Sequence, residues 1–364
     1  METVVELGPG RAAELDARDM LGAIASLPRQ LTVGYAAACE RLTVALASSG
    51  ASRPPPEPTG LVVCGMGGSA IGADLVLACL PSLPVPATVV RGYVLPAWVT
   101  SRTLAVAMSY SGETEEALAC VEQAGARGCT PICIASGGRL AALAGARGWP
   151  CVPLPPGAQP RASVGYLSMS LLAAIEAAGL CSGHADEVAD AAALLRADNE
   201  AYGIDQPESS NQAKQLARKL ARRLGVVYGA GPTASVARRW KGQLNENAKA
   251  PAFFNELPEL DHNEIMGWTS LPHVSSSALA VFLTDGSGDP RLTRRVTLTA
   301  AAYDRLGVAT EQVAARGSSC LARVFSLVQL GDYISYYVAL LHGVDPTPVG
   351  AIQDLKDRLV AGGG

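Results

Sequence analysis

The sequence predicts an α/β protein: two tandem, doubly wound parallel sheets flanked by helices. Three observations carry that expectation. Short, uninterrupted apolar runs alternate with helical stretches, the pattern of parallel strands buried on both faces. The alternation stops near residue 183, gives way to a charged, strand-free stretch to about 222, and then begins again. The 364 residues are 49% hydrophobic, 17% charged and 5% aromatic, which allows a large core that is aliphatic and alanine-rich.

In chain order, residues 11–50 read as helical, with apolar positions recurring at three and four. ASRPPPEPTG, at 51–60, is a proline-rich connector that cannot continue a helix. LVVCG (61–65), ATVVRG (87–92), TLAVAMS (103–109) and TPICIAS (130–136) are strand candidates, each closed by Gly, Ser or a turn. A fifth run, CVPLP (151–155), precedes a long helical stretch over 162–180. After the charged stretch, strands are expected at 225–231, 277–285 and 307–313, with helices at 233–248, 290–306, 318–342 and 348–360.

Composition excludes several classes. Lys and Arg number 29 against 33 acidic residues, a net charge of −4 with no basic block, so no nucleic-acid footprint is expected. The longest apolar stretches, near 163–180 and 324–342, are interrupted by Glu176 and Asp332, and neither reads as a membrane span. The first twenty residues lack the basic and apolar regions of a signal peptide. Nine cysteines lie singly in apolar contexts without a CxxC, which suggests reduced thiols of a cytoplasmic protein, not a disulfide framework or a zinc site.

Two loops are suited to an anion. The first strand runs into Gly65-Met66-Gly67-Gly68-Ser69-Ala70 and then a helix, so backbone approaches a ligand closely and free N–H groups face it. No Lys-Ser or Lys-Thr follows, which excludes a P-loop. GMGGSA does satisfy G-x-G-x-x-A, but the next strand ends at Arg91 where a dinucleotide fold expects an acid. The loop after the third strand, Ser109-Tyr110-Ser111-Gly112-Glu113-Thr114, offers three small hydroxyls at a second helix start. Capping by Ser111 explains one of them. Hydroxyls and oriented amides without lysine suit a phosphate monoester, so Gly67, Gly68, Ser69, Ser109, Ser111 and Thr114 are the candidate phosphate ligands, and a sugar phosphate is favoured over a dinucleotide.

GMGGSAIG followed by SYSGETEE resembles the sugar isomerase (SIS) domain. ENAK at 246–249, PELDHNEIMGW at 258–268 and PVGAIQDLK at 348–356 extend the resemblance to the bifunctional phosphoglucose/phosphomannose isomerases, from about residue 60 to the end. The resemblance implies N-terminal helices and a first SIS domain over 1–185, a helical connector over 186–222, a second SIS domain over 223–345 and a C-terminal helix over 346–364. It also implies a homodimer with shared active sites, no metal or organic cofactor, and interconversion of glucose 6-phosphate or mannose 6-phosphate with fructose 6-phosphate.

Such a reaction moves a proton between C1 and C2 through an enediolate, so it needs a base, a cation facing the enediolate oxygens and a group that opens the ring. Glu246 sits near the end of a helix, and by itself reads as a surface carboxylate paired with Lys249 one turn on. The ENAK match makes it the expected base, with Glu256, Glu259 and Glu264 in reserve. His262 lies in a proline- and acid-rich stretch, and an imidazole can pass a proton near neutral pH. The resemblance assigns it to ring opening, from the neighbouring subunit. His262-Asn263-Glu264 also fits the H-x-E of zinc deaminases, but no P-C-x-x-C follows. Arg161, after Gln159-Pro160, matches the family's QPR segment and presents a planar, permanent cation. Lys356 matches its terminal lysine. SGE at 111–113 departs from the SGN or SGD of many relatives and places Glu113 near the expected phosphate. The competing expectation is a non-catalytic SIS module that binds a sugar phosphate and regulates a partner; an NADP-dependent enzyme stands third.

Overall fold

The computed structural model describes residues 5–48, 57–286 and 289–362, so most of the proline-rich connector at 51–60 lies outside the described residues. The N-terminal helical stretch is three helices, α1 (Pro9–Leu15), α2 (Met20–Ala25) and α3 (Leu27–Ser48). Asp16 and Asp19 make the first break: their carboxylates accept from the N–H groups of Met20, Leu21 and Gly22, starting α2 afresh.

The first sheet follows as β1 (Gly60–Cys64), α4 (Gly67–Ala78), β2 (Ala87–Val90), β3 (Thr103–Met108), α5 (Glu115–Ala126), β4 (Ile132–Ala135), α6 (Gly138–Arg147), β5 (Cys151–Pro153) and α7 (Val164–Ala177). Its order is β2-β1-β3-β4-β5, all parallel. Every residue of β1 and β3 is buried, which is why these strands read as unbroken apolar runs. The helices α8 (Ala185–Tyr202) and α9 (Gln212–Leu220) come next.

The second sheet contains β6 (Leu224–Ala230), α10 (Pro232–Glu246), β7 (Ala252–Leu257), α11 (Pro272–Ser277), β8 (Ala278–Thr284), α12 (Pro290–Arg305) and β9 (Ala309–Ala314), with strand order β7-β6-β8-β9, again parallel. The strand at β7 was not anticipated. It lies at the sheet edge with Phe253 and Glu256 exposed, so AFFNEL carries no continuous apolar run. α13 (Cys320–His342) and α14 (Gly350–Gly362) complete the chain.

α13 is the hub. It is long and apolar enough to cross a membrane by length and composition, yet 94% of its most apolar window is buried inside the fold. It packs against α8, α9, α10 and α2, so one continuous apolar core reaches both sheets. Gly331 permits the closest approach: a Cβ there would lie 2.2 Å from the indole nitrogen of Trp240, which instead donates to the Leu327 carbonyl at 2.8 Å.

The buried carboxylate of this helix, Asp332, is paired. Arg239 of α10 donates to it from Nε at 3.1 Å and Nη2 at 2.6 Å, and Gln243 donates at 2.9 Å. Burial pushes the Asp332 carboxyl up, and Arg239 opposes that rise. The Arg239 Nη2 also donates to the main-chain oxygen of Arg161 at 2.9 Å, so the same guanidinium holds the first sheet to the second. Asp332→Ala leaves Arg239 buried without its counter-charge and should lower unfolding free energy by about 3–5 kcal/mol in a urea titration. A loss below about 1 kcal/mol would mean the pair contributes no more than an exposed one.

Candidate active site

Strand order in the first sheet reverses between β1 and β3, and a ligand crevice forms at the carboxyl ends flanking such a reversal. Both predicted loops are there. Gly67 has φ +50 and opens α4, while the Ser69 hydroxyl accepts the Tyr110 N–H at 3.3 Å and ties one loop to the other. Ser109 is buried, hydrogen-bonded to Thr114 Oγ1 at 2.8 Å and to the Gly112 N–H at 3.1 Å. These three hydroxyls therefore shape the loops. Ser111 is exposed, with its hydroxyl accepting the neighbouring Glu113 N–H at 3.2 Å. The helix-cap position belongs to Thr114 and not to Ser111.

Glu113 turns toward the start of α6, where it accepts from the Arg139 main chain at 2.9 Å and its Nε at 2.8 Å. Those hydrogen bonds hold its carboxyl below the usual range. Arg91, at the end of β2 where a dinucleotide fold expects an acid, is bonded to Asp74 of α4.

Gly68 packs against the segment that delivers Arg161: a Cβ there would lie 2.8 Å from the Pro160 oxygen. Arg161 is buried, not a surface cation. Its Nε donates to Asn247 Oδ1 at 2.6 Å, its Nη2 donates to the oxygens of Pro346 and Thr347 at 2.9 and 2.7 Å, and its Nη1 lies 3.7 Å from Glu246 Oε2. Burial pushes the guanidinium below its ordinary value and Glu246 opposes that. Glu246 ends α10 with its side chain a third exposed, open to a ligand.

Lys249 does not pair with the Glu246 carboxylate as its spacing suggested. With φ +53, it folds back and donates to the main-chain oxygens of Glu246, Asn247, Asp345 and Pro346 at 2.9, 3.2, 2.8 and 3.1 Å. Burial, and then the Arg161 charge, lower it to about 8. Two cations thus face the carbonyl-rich end of α10 and the 345–347 turn, where the helix dipole favours positive charge. Asn247, fully buried and bonded also to Ser335 at 3.0 Å, and Thr347, whose buried hydroxyl has no partner among the described residues, are site neighbours that the sequence did not single out.

Two predicted residues lie elsewhere in the chain. α10 starts at the carboxyl end of β6, and its 15 residues carry Glu246 about 22 Å away. β7, in parallel register with β6, returns the chain to that carboxyl edge, where a 3-10 turn, Glu259–His262, follows. His262 is therefore roughly 20 Å from Glu246 within one chain. It is exposed, and its acidic neighbours are bonded to others: Asp261 to Thr299 and Arg295, Glu264 to Tyr228 and Asn255. The reserve carboxylates Glu256, Glu259 and Glu264 share that distant end. Lys356 lies on α14, which is exposed on every described side, with Ile352, Leu355 and Leu359 in water. A cleft of about 380 Å³ lined by Phe253, Phe254, Trp268 and Leu271 includes the reserve carboxylate Glu264 but none of Glu246, Arg161, His262 and Lys356.

The family model described as bacterial phospho-glucose isomerase C-terminal SIS domain matches residues 209–359. A bifunctional phosphoglucose/phosphomannose isomerase of Caldicellulosiruptor bescii is 41% identical over 301 residues, covering 82% of this chain and 89% of that protein. Its counterpart in Aquifex aeolicus is 37% identical over 302 residues, covering 82% and 90%. In fold, tagatose-6-phosphate ketose/aldose isomerase from Escherichia coli superposes with a TM-score of 0.70 at 17% identity, covering 90% of this chain and 94% of that one.

The contact at Gly68 is testable directly. Gly68→Ala forces the glycine loop away from the carbonyl of Pro160, and such overpacking costs about 1–3 kcal/mol. Chemical unfolding should show that loss, and calorimetry should show weaker binding of a phosphate monoester. Gly145→Ala in α6, where a Cβ meets nothing within 4 Å, is the control: it should leave binding unchanged and, as a helix-interior Gly→Ala, should not lower stability.

Proposed function

The chain belongs to the bifunctional phosphoglucose/phosphomannose isomerase family, and we propose that it interconverts glucose 6-phosphate and mannose 6-phosphate with fructose 6-phosphate through a cis-enediolate. The observation that carries this reading is the pairing of a buried Arg161 with a partly exposed Glu246, 3.7 Å apart, beside the glycine loop. Glu246 takes the C2 proton of the aldose and returns it to C1. Arg161, caged by Asn247 and two carbonyls, keeps its fixed positive charge against the enediolate oxygens and needs no reorientation as charge develops. The amides opening α4 and α5, with the Ser111 hydroxyl, hold the phosphate. Lys249 positions Glu246 by closing the end of α10 onto the 345–347 turn.

The proposal includes a homodimer with shared sites, and the placement of the remaining groups supports it. His262 is too far from Glu246 to act in its own chain, and exposed Lys356 rides on a helix whose apolar side chains lie in water. A second copy packed there supplies His262 for ring opening. The cytoplasm is the setting in which nine free thiols stay reduced. The non-catalytic alternative requires the phosphate loops alone and leaves the Arg161–Glu246 pair without a purpose.

Glu246→Gln keeps the shape but removes the proton acceptor, so isomerisation should fall by about 10²–10⁴ while the sugar phosphate still binds. Proton NMR of glucose 6-phosphate in deuterated water follows the C2 position, and exchange at the wild-type rate would move the base elsewhere. Ser111→Ala should raise KM for both aldose phosphates alike, on the order of 1.5–3 kcal/mol in binding. For the shared site, Glu246→Gln and His262→Ala proteins, each weakly active, should complement when subunits are mixed, with about one quarter of sites intact. Absence of any recovery after verified exchange would place both groups in one chain.

A further inference from the structure

We propose that Glu176, Cys181 and His184 form a zinc-binding site that fastens the turn between α7 and α8 to α3, apart from the isomerase centre. One ligand atom from each of the three lies within 4.8 Å of the other two, and all three side chains are half-buried. Glu176 is near the C-terminal end of the 14-residue α7, whose N-terminal end follows Arg161, so the two centres are about 20 Å apart. The mechanism above uses none of these groups.

The turn is built to converge. Gly179 and Gly183 take left-handed conformations, φ +75 and +86, which fold Cys181 and His184 back over the end of the helix. His184 Nδ1 sits 2.8 Å from Glu176 Oε1. The second carboxylate oxygen accepts the Tyr35 hydroxyl of α3 at 2.5 Å, an outer hydrogen bond that would orient a ligating carboxylate. Cys39, one turn along α3 from Tyr35, brings a second thiol to the same region.

The donor chemistry selects the ion. A thiolate, an imidazole and a carboxylate suit Zn²⁺, whereas Mg²⁺ and Ca²⁺ take oxygen ligands. Tetrahedral coordination with bonds of about 2.0–2.3 Å spaces donors about 3.3–3.8 Å apart. The Glu176–His184 pair must open slightly, and Cys181 must close by about 1 Å, movements within reach of side-chain rotation. On binding, the Cys181 S–H proton leaves to solvent and the sulfur lone pair bonds the metal. Neutral His184 offers the lone pair of one ring nitrogen and keeps its N–H on the other. A water completes the fourth position. No electron is transferred.

The test is titration of the full-length, EDTA-treated protein with Co²⁺, followed by Zn²⁺. One equivalent of Co²⁺ should produce the intense visible bands of tetrahedral coordination and a near-ultraviolet thiolate-to-cobalt band, both erased by Zn²⁺. Cys181→Ser should lose the thiolate band, and His184→Gln should lose tetrahedral binding, in proteins of unchanged far-UV circular dichroism. Tyr35→Phe, which removes only the outer hydrogen bond, should weaken Co²⁺ by about 10–100-fold. A wild-type protein with no tetrahedral spectrum, or a thiolate band that survives Cys181→Ser, overturns the assignment and leaves a Tyr35–Glu176–His184 hydrogen-bond cluster.

Discussion

The rest of the structure depends on one buried ion pair, Arg239 with Asp332. A carboxylate inside an otherwise apolar helix is tolerable only because the guanidinium meets both of its oxygens and Gln243 takes a further lone pair. The pair specifies how α10 docks on α13, since any other register leaves two charges in the core without partners. The same guanidinium then reaches the Arg161 carbonyl. Arg161, the proposed catalytic cation, is therefore positioned from behind by the interaction that fixes the second sheet's first helix.

From that anchor the site assembles in short steps. Arg161 is held on its far side by Asn247 and the 345–347 turn, and on its near side by the Gly68 loop. Lys249 draws the same turn against the end of α10. The groups from the first sheet supply the proposed anion cradle, and those from the second supply the proposed catalytic carboxylate. Neither half holds a complete set.

Sequence and structure agree where one local rule governs. Buried parallel strands read as apolar runs, and the two loops at the ends of β1 and β3 were legible because glycine and serine at a strand-to-helix turn have few other uses. β7 was illegible because an edge strand alternates and ends in polar residues. Apart from the QPR match, Arg161 looked like any of 29 basic residues, since its burial comes from partners 78 to 186 positions away. Asp332 was visible as a break in an apolar run, but nothing local named Arg239 as its partner. Lys249 misled for a conformational reason: helical spacing predicted a side-chain pair, while its left-handed backbone sends Nζ to carbonyls.

The shared helix α13 has a consequence for how the molecule comes apart. Two sheets joined by a linker unfold as separate units, each with its own melting temperature. Here α8, α9 and α10 all pack on α13, and the apolar core reaches both sheets without interruption. Releasing α13 opens that core on every side at once, so neither sheet has an independent native state to fall back on. Cooperativity across the whole chain is thus a property of one 23-residue segment near its end. The core shared by the two sheets closes only once that segment has been made.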